Sequence, residues 1–343
     1  MKRKVFAALS LCVLTFNLAG SALANKTRKK ANAAAIVAML PASDAVAVID
    51  VKRFLGDALP KLLSGNQKML GELTAKLDEA KAKTGIDLRQ FETVVAGLTA
   101  VKINAKEYDF DFVLIASGQI NAGALLATAK LGANGKYREE KVGERTIYIF
   151  APKEIADKHL PATGKSAQVI DKAIGKEMAV TVIDGGTLAF GSVARVRETV
   201  EAKTKIGVDI SSLLNKNATS VMAFAAKVPD GMSSFMPLEN DELGKNIDSI
   251  KYLYGSMDVV GTTTTLQATA RTLQADQAIG LKDTLDGLQM IGKALLGNAK
   301  GADKQVYARL IENVKFSVKG NEVSMDLAIA QTDIDFLVGL LSK

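Results

Sequence analysis

The stretch MAVTVIDGGTLAFGS, from Met178 to Ser192, sets two apolar runs on either side of Gly185-Gly186. A two-residue connection between antiparallel strands takes a primed turn, whose central residues need a positive φ that glycine adopts without steric cost. The stretch therefore predicts a tight hairpin. VKGNEVSM, from Val318, repeats the form, and each hairpin leads into a terminal helical pattern. Strands clustered in hairpins do not fit a doubly wound parallel sheet, in which single strands alternate with helices and are buried on both faces.

The order of segments around these hairpins runs twice. In the first pass a β-branched strand from Ala45 to Val51, entered through Pro41 and Ser43, precedes apolar residues at helical spacing: Phe54, Leu55, Leu59, Leu62 and Leu63, then Met69, Leu70, Leu73 and Leu77. Gly85 supplies a helix stop. Strands follow from Phe91 to Val101 and from Tyr108 to Ser117, then a small-residue helix from Ala122 to Leu131, a hairpin turning near Gly143, the Gly185-Gly186 hairpin and a helix from Val193 to Ala202. The second pass has a strand from Ser220 to Lys227, a helical stretch from Asp230 to Leu243, strands from Ile250 to Val260 and Thr262 to Thr272, helices, a hairpin and a last helix. Ile86-Asp87 and Ile247-Asp248 occupy matching steps. The expected fold is α+β with two similar lobes, residues 40–205 and 216–343, related by internal duplication; each is a mainly antiparallel sheet with helices packed on one face.

Residues 1–24, MKRKVFAALSLCVLTFNLAGSALA, place Lys2, Arg3 and Lys4 before an apolar run that ends on Ala22-Leu23-Ala24. A basic start, a short apolar core and a small-x-small end make a cleavable secretory signal, and the run is too short for the roughly 20 apolar residues of a spanning helix. The expectation is export to the periplasm or the exterior, without an integral membrane anchor once the signal is removed. The single cysteine, Cys12, lies within that signal, so the mature chain is cysteine-free and disulfides and thiolate chemistry are not expected. Removing the three basic residues of the signal from a formal +7 leaves +4, too mild a bias for a nucleic-acid binder. Residues 25–39 begin with Lys26, Arg28, Lys29 and Lys30 and are expected to form a solvated tail, with weak contact to an anionic membrane surface as the other reading.

At LPASDAVAVIDVKRFLGDALPKLL, with Thr84-Gly85-Ile86-Asp87 downstream, the chain is similar to a group of exported bacterial proteins of uncharacterised function, which share a Leu-Pro-x-x-Asp entry to a first strand and a later Thr-Gly-x-Asp step. The likeness covers roughly the first lobe. It implies export and repeated α+β lobes, and it carries no catalytic residue onto any position.

The chemical signals are thin. HLPATGKS, residues 159–166, overlaps a sortase-type pentapeptide with the end of a phosphate loop, but no spanning segment follows, and His159 stands where a phosphate loop needs its first glycine. His159 is also the only histidine, which removes a histidine-based zinc site. Ser192 lies outside any G-x-S-x-G elbow. Asp109 and Asp111 share one strand face and read as a solvated edge before an acid–base pair or cation site. Glu239, Asp241 and Glu242 suit a helix start. From Asp276, Leu281, Leu285, Leu288 and Leu295 form a helical stripe interrupted by Gly280, Gly287 and Gly292; close packing accounts for such glycines, and a pliable lining for an apolar ligand, helped by Met290, is the functional alternative. No residue is singled out as catalytic, cofactor-binding or metal-ligating. The reading is an exported non-enzymatic binding or scaffold protein, with a carrier of a lipid or other apolar molecule as the alternative and a hydrolase as the second.

Overall fold

The structure is a computed structural model that describes residues 33–104, 107–151, 177–231, 241–297 and 301–341. Among these residues twelve strands form one sheet: β1 (Ala45–Asp50), β2 (Phe91–Asn104), β3 (Glu107–Gly118), β4 (Tyr137–Val142), β5 (Arg145–Phe150), β6 (Met178–Asp184), β7 (Thr187–Ser192), β8 (Met222–Lys227), β9 (Ile250–Val260), β10 (Thr263–Thr272), β11 (Lys315–Lys319) and β12 (Glu322–Ala330). Every neighbouring pair is antiparallel, in the order β11-β12-β10-β9-β8-β1-β2-β3-β7-β6-β5-β4. The class is α+β, as the hairpin clusters require.

Outward from the centre, one half runs β1-β2-β3-β7-β6 and the other β8-β9-β10-β12-β11, with the β4–β5 hairpin extending the first half. The halves meet where β1 and β8 pair from Ala45 opposite Ala226 to Ile49 opposite Met222. They share one continuous ladder.

Helices fill the connections. Residues 33–37 form α1; α2 combines Val51–Arg53, a π-helical Phe54–Ala58 and Leu59–Leu62; α3 is Gln67–Thr84, α4 Ala122–Gly132, α5 Val193–Glu201, α6 Val208–Lys216, α7 Asp241–Asp248, α8 Ala275–Leu296, α9 Ala302–Asn313 and α10 Gln331–Leu341. The expected helix over Asp230 to Leu243 is described only from Asp241, and residues 232–240 lie outside the described set. Helix α6 occupies the stretch left between the two expected lobes, and it buries Ile210, Leu213 and Leu214 at i, i+3 and i+4. Helix α1 falls in the expected tail, yet Ile36 and nearby Leu40 are 2% and 0% exposed.

Cross-strand register assigns the two faces of the sheet, because directly opposed residues share a side. One face carries Val46, Val95, Val113, Ile115, Ala189, Ala179 and Ile149, packed against Ile36, Val196 of α5 and Leu213 of α6. The other carries Ile49 and Val259 beneath Phe54, Leu55, Leu59 and Leu77 of α2 and α3, and Ala270 and Val323 beneath Ala278 and Leu281 of α8. Strand β3 sits deep in the order and buries Val113 and Ile115 completely on one side while Phe112 and Leu114 are half-buried on the other. Asp109 and Asp111 continue the Val113 side toward the strand's beginning.

The outermost strands carry charge. Edge strand β4 includes Arg138, Glu139, Glu140 and Lys141, and Arg197 holds Glu140 through two hydrogen bonds of 2.8 and 2.9 Å. Edge strand β11 has Lys315 and Lys319 exposed. Charged rims of this kind discourage pairing with a further chain.

The Thr84-Gly85-Ile86-Asp87 step is a helix stop joined to a strand entry. Gly85 takes φ 71° as the C-cap of α3, Thr84 Oγ1 accepts from Ile86 N–H at 3.1 Å, and Asp87 Oδ1 accepts from Arg89 N–H at 3.1 Å to open the 3-10 turn Leu88–Gln90 before β2. Asp87 also meets the Arg89 guanidinium at 2.7 Å and Lys81 at 3.0 Å, with its own side chain only 12% exposed. The Arg89 hydrogen bond, opposed by burial and aided by Lys81, holds the Asp87 carboxyl down to about 2.

Two measurements follow from this packing. A Cβ at Gly255 would stand 2.1 Å from Gln267 O and 2.8 Å from the Phe224 ring, so Gly255→Ala is expected to cost about 2–3 kcal/mol in urea unfolding. Because the folded pKa of Asp87 is depressed, its contribution is complete above its unfolded value near 3.8 and is lost as pH falls toward 2. Asp87→Asn should cost about 1–2 kcal/mol at pH 7, with the gap from the parent narrowing between about pH 4 and pH 2 in thermal melts.

Candidate functional site

The seam carries a cavity. On the α6 side of the sheet, β1 and β8 present Val48 and Ala223 as its floor, α6 contributes Leu214, and α1 contributes Val37. Alanines at 33, 34, 38 and 218 leave space that larger side chains would close, and the resulting volume is about 230 Å³. Lys205, Ser211, Asn215, Asn217 and Ser220 supply polar groups around it. The walls are tied to the frame: Ile206 N–H donates to Leu40 O at 3.1 Å, and buried Arg195 donates to Ala42 O at 2.6 Å and to Ser43 Oγ at 2.9 Å. Salt-bridged to Glu198, Arg195 also locks α5 to the loop between α1 and β1.

Helix α8 provides the second feature. Its first half buries Ala278 and Leu281 and packs Leu285 against the sheet. Its second half rests on α9, where Gln289 Nε2 donates to Ile311 O at 2.6 Å and to Val314 O at 2.8 Å. Away from the packed side Ile279 53%, Leu288 47%, Met290 68%, Ile291 54% and Leu295 74% are exposed, with Leu288, Ile291 and Leu295 sharing one face by helical spacing and Ile279 and Met290 on another. The expected leucine stripe therefore divides, Leu281 and Leu285 facing the core and Leu288 and Leu295 leaving it. Two glycines have packing reasons: a Cβ at Gly292 would meet Ile311 Cδ1 at 3.1 Å, and one at Gly280 would meet Asn246 Oδ1 at 3.2 Å. Gly287 has open space around it and no such reason.

A third cluster lies on the polar part of the same sheet side as the cavity. Lys216 Nζ donates to Tyr254 Oη and to Glu322 Oε1, each at 2.8 Å, and Arg271 Nη2 meets Glu322 Oε1 at 2.6 Å. Burial opposes both charges, yet hydrogen bonds from Lys216 and Arg271 lower the Glu322 carboxyl, and those to Glu322 and Tyr254 raise the Lys216 ammonium. Both shifts move away from neutrality. That is the direction of an ion-pair brace, opposite to the tuning that places a general acid or base near pH 7.

The residues flagged in the sequence do not converge. Ser192 is 7% exposed, with its hydroxyl directed to Phe112 O at 3.4 Å. Asp109 Oδ1 accepts from the N–H of Phe110 at 2.9 Å. Among the described residues no three His, Cys, Asp or Glu side chains gather as a metal site, and no helix is long and apolar enough to cross a membrane. Cys12, His159, the HLPATGKS octapeptide and Glu239 lie outside the described residues, as does the expected signal. The cavity itself was not anticipated; its only sequence trace is the run of alanines around Ile36 together with the Ile210, Leu213, Leu214 spacing of α6.

No family model and no curated protein matches the chain. Solved structures of TP0453 are similar at low identity: crystal form I at 11% identity and TM-score 0.41, covering 89% of this chain and 97% of that one. Crystal form IV is similar at 10% identity and TM-score 0.43, covering 88% of this chain and 95% of that one.

Proposed function

We propose that this chain is an exported, non-enzymatic binding or scaffold protein that engages a protein partner through the solvent-facing side of α8. The observation that carries this reading is the exposure of Leu288, Ile291 and Leu295 on one half-helix. Apolar side chains that follow at i, i+3 and i+7 form a contiguous patch, and such patches mark interaction surfaces more often than isolated exposed residues do. The matched strand orders of the two halves support an origin by internal duplication, and the amino-terminal pattern supports export with cleavage after Ala24. A second reading, a carrier of an apolar ligand, is favoured by the seam cavity and its apolar floor.

A photo-crosslinking residue at Ile291 in the exported protein tests the first reading. The expected result is one discrete protein adduct, abolished by the double variant Leu288→Gln, Leu295→Gln. That variant should leave the melting temperature nearly unchanged, because both positions are exposed. Diffuse adducts, or a discrete adduct that survives the double variant, would refute the α8 surface as the contact.

A further inference from the structure

We propose that the seam cavity is a binding site for one short aliphatic carboxylate, with the chain on the Val48 and Ala223 floor and the anionic group at Lys205. The inference rests on the second reading above and names the ligand class for it. The size of the space argues first. At about 230 Å³ it exceeds the roughly 150 Å³ of an apolar cavity that takes up benzene. Scaled on that cavity, where a six-carbon ring occupies about 150 Å³, the space takes a ligand of about eight or nine carbons.

The chemistry of the lining argues next. Val37, Val48, Ile206, Leu214 and Ala223 make the interior apolar, so a polar molecule would lose hydration there without recovering hydrogen bonds. The polar groups are separate from that floor, and among the described residues Lys205 is the single ionisable side chain that lines the cavity. Among the described residues Lys205 has no carboxylate partner, whereas nearby Lys203 meets Glu201 at 3.2 Å and Lys216 meets Glu322 at 2.8 Å. A ligand with an apolar tail and one negative end matches both halves of the lining. A much longer chain would run beyond the lining into solvent, and among the described residues a dianion finds only one cation.

The walls are built to persist in the absence of a ligand. Leu213 and Leu214 anchor α6, Ile206 is hydrogen-bonded to the end of α1, and the floor is the β1–β8 ladder itself. A preformed site loses little ordering entropy on binding.

Methyl-labelled mature chain titrated with octanoate, octanol and acetate tests this directly by NMR. Octanoate should produce saturable shifts at the methyls of Val37, Val48, Leu214 and Ala223, and acetate none. Ala34→Leu, which fills the space from an exposed position, should weaken both octanoate and octanol more than tenfold. Lys205→Gln should weaken octanoate about two- to fivefold and leave octanol unchanged, the size expected for one solvent-exposed ion pair. Equal affinities of octanoate for the parent and Lys205→Gln would overturn the carboxylate assignment while leaving an apolar-ligand site standing. Absence of shifts at those methyls with either eight-carbon probe, or shifts that survive Ala34→Leu, would overturn the cavity as a binding site altogether.

Discussion

Backbone hydrogen bonds between β1 and β8, running from Ala45 opposite Ala226 to Ile49 opposite Met222, hold the two halves of the molecule in one sheet. Each buried backbone group left without its partner costs about 1–3 kcal/mol, so a split at this pair would be expensive over its whole length. Three consequences meet there. The α1, α5 and α6 layer can span both halves, Ile49 and Val221 can share a core under α2, and the cavity acquires a rigid floor.

Local patterns made the strands legible. Gly185-Gly186 and the Val318 hairpin announced β6–β7 and β11–β12, and the expected strands Tyr108 to Ser117 and Ile250 to Val260 lie within a residue of β3 and β9. Strand order outward from β1 and from β8 follows the sequence order of each half, save that each closing hairpin is reversed and β4–β5 lies outside it. The pairing of β1 with β8 could not be read, since no local signal links positions so far apart in the chain. Helix α6 went unassigned for a related reason: Ile210, Leu213 and Leu214 have helical spacing, but the segment stood where a division between lobes was expected. The alanines of α1 read as a featureless tail until the sheet placed Ile36 and Leu40 inside the core.

The chemistry of the molecule is consistent with its surfaces carrying its role. Two ionisable clusters brace the second half: Lys216 and Arg271 both meet Glu322, and Arg309 meets buried Asp333. The apolar features behave otherwise. Leu288, Ile291 and Leu295 remain open to water on a helix whose other side is well packed, and Gly287 leaves that surface shallow. Sequence exposed the amphipathic stripe of α8 but could not show where it leaves the core, because that depends on how far α9 and the sheet reach beneath it.

The distance along the chain between the seam strands also bears on how the protein is made. A ribosome delivers β1 through β7 long before β8, so the first half can zip into a seven-stranded sheet while β1 stands as an unprotected border with no charged residue between Ala45 and Ile49. Until β8 pairs with it, that border is an open strand edge, exposed to capture by a chaperone or by a second unfolded copy. The arrival of β8 closes this window, after which both outer margins are the charged strands β4 and β11.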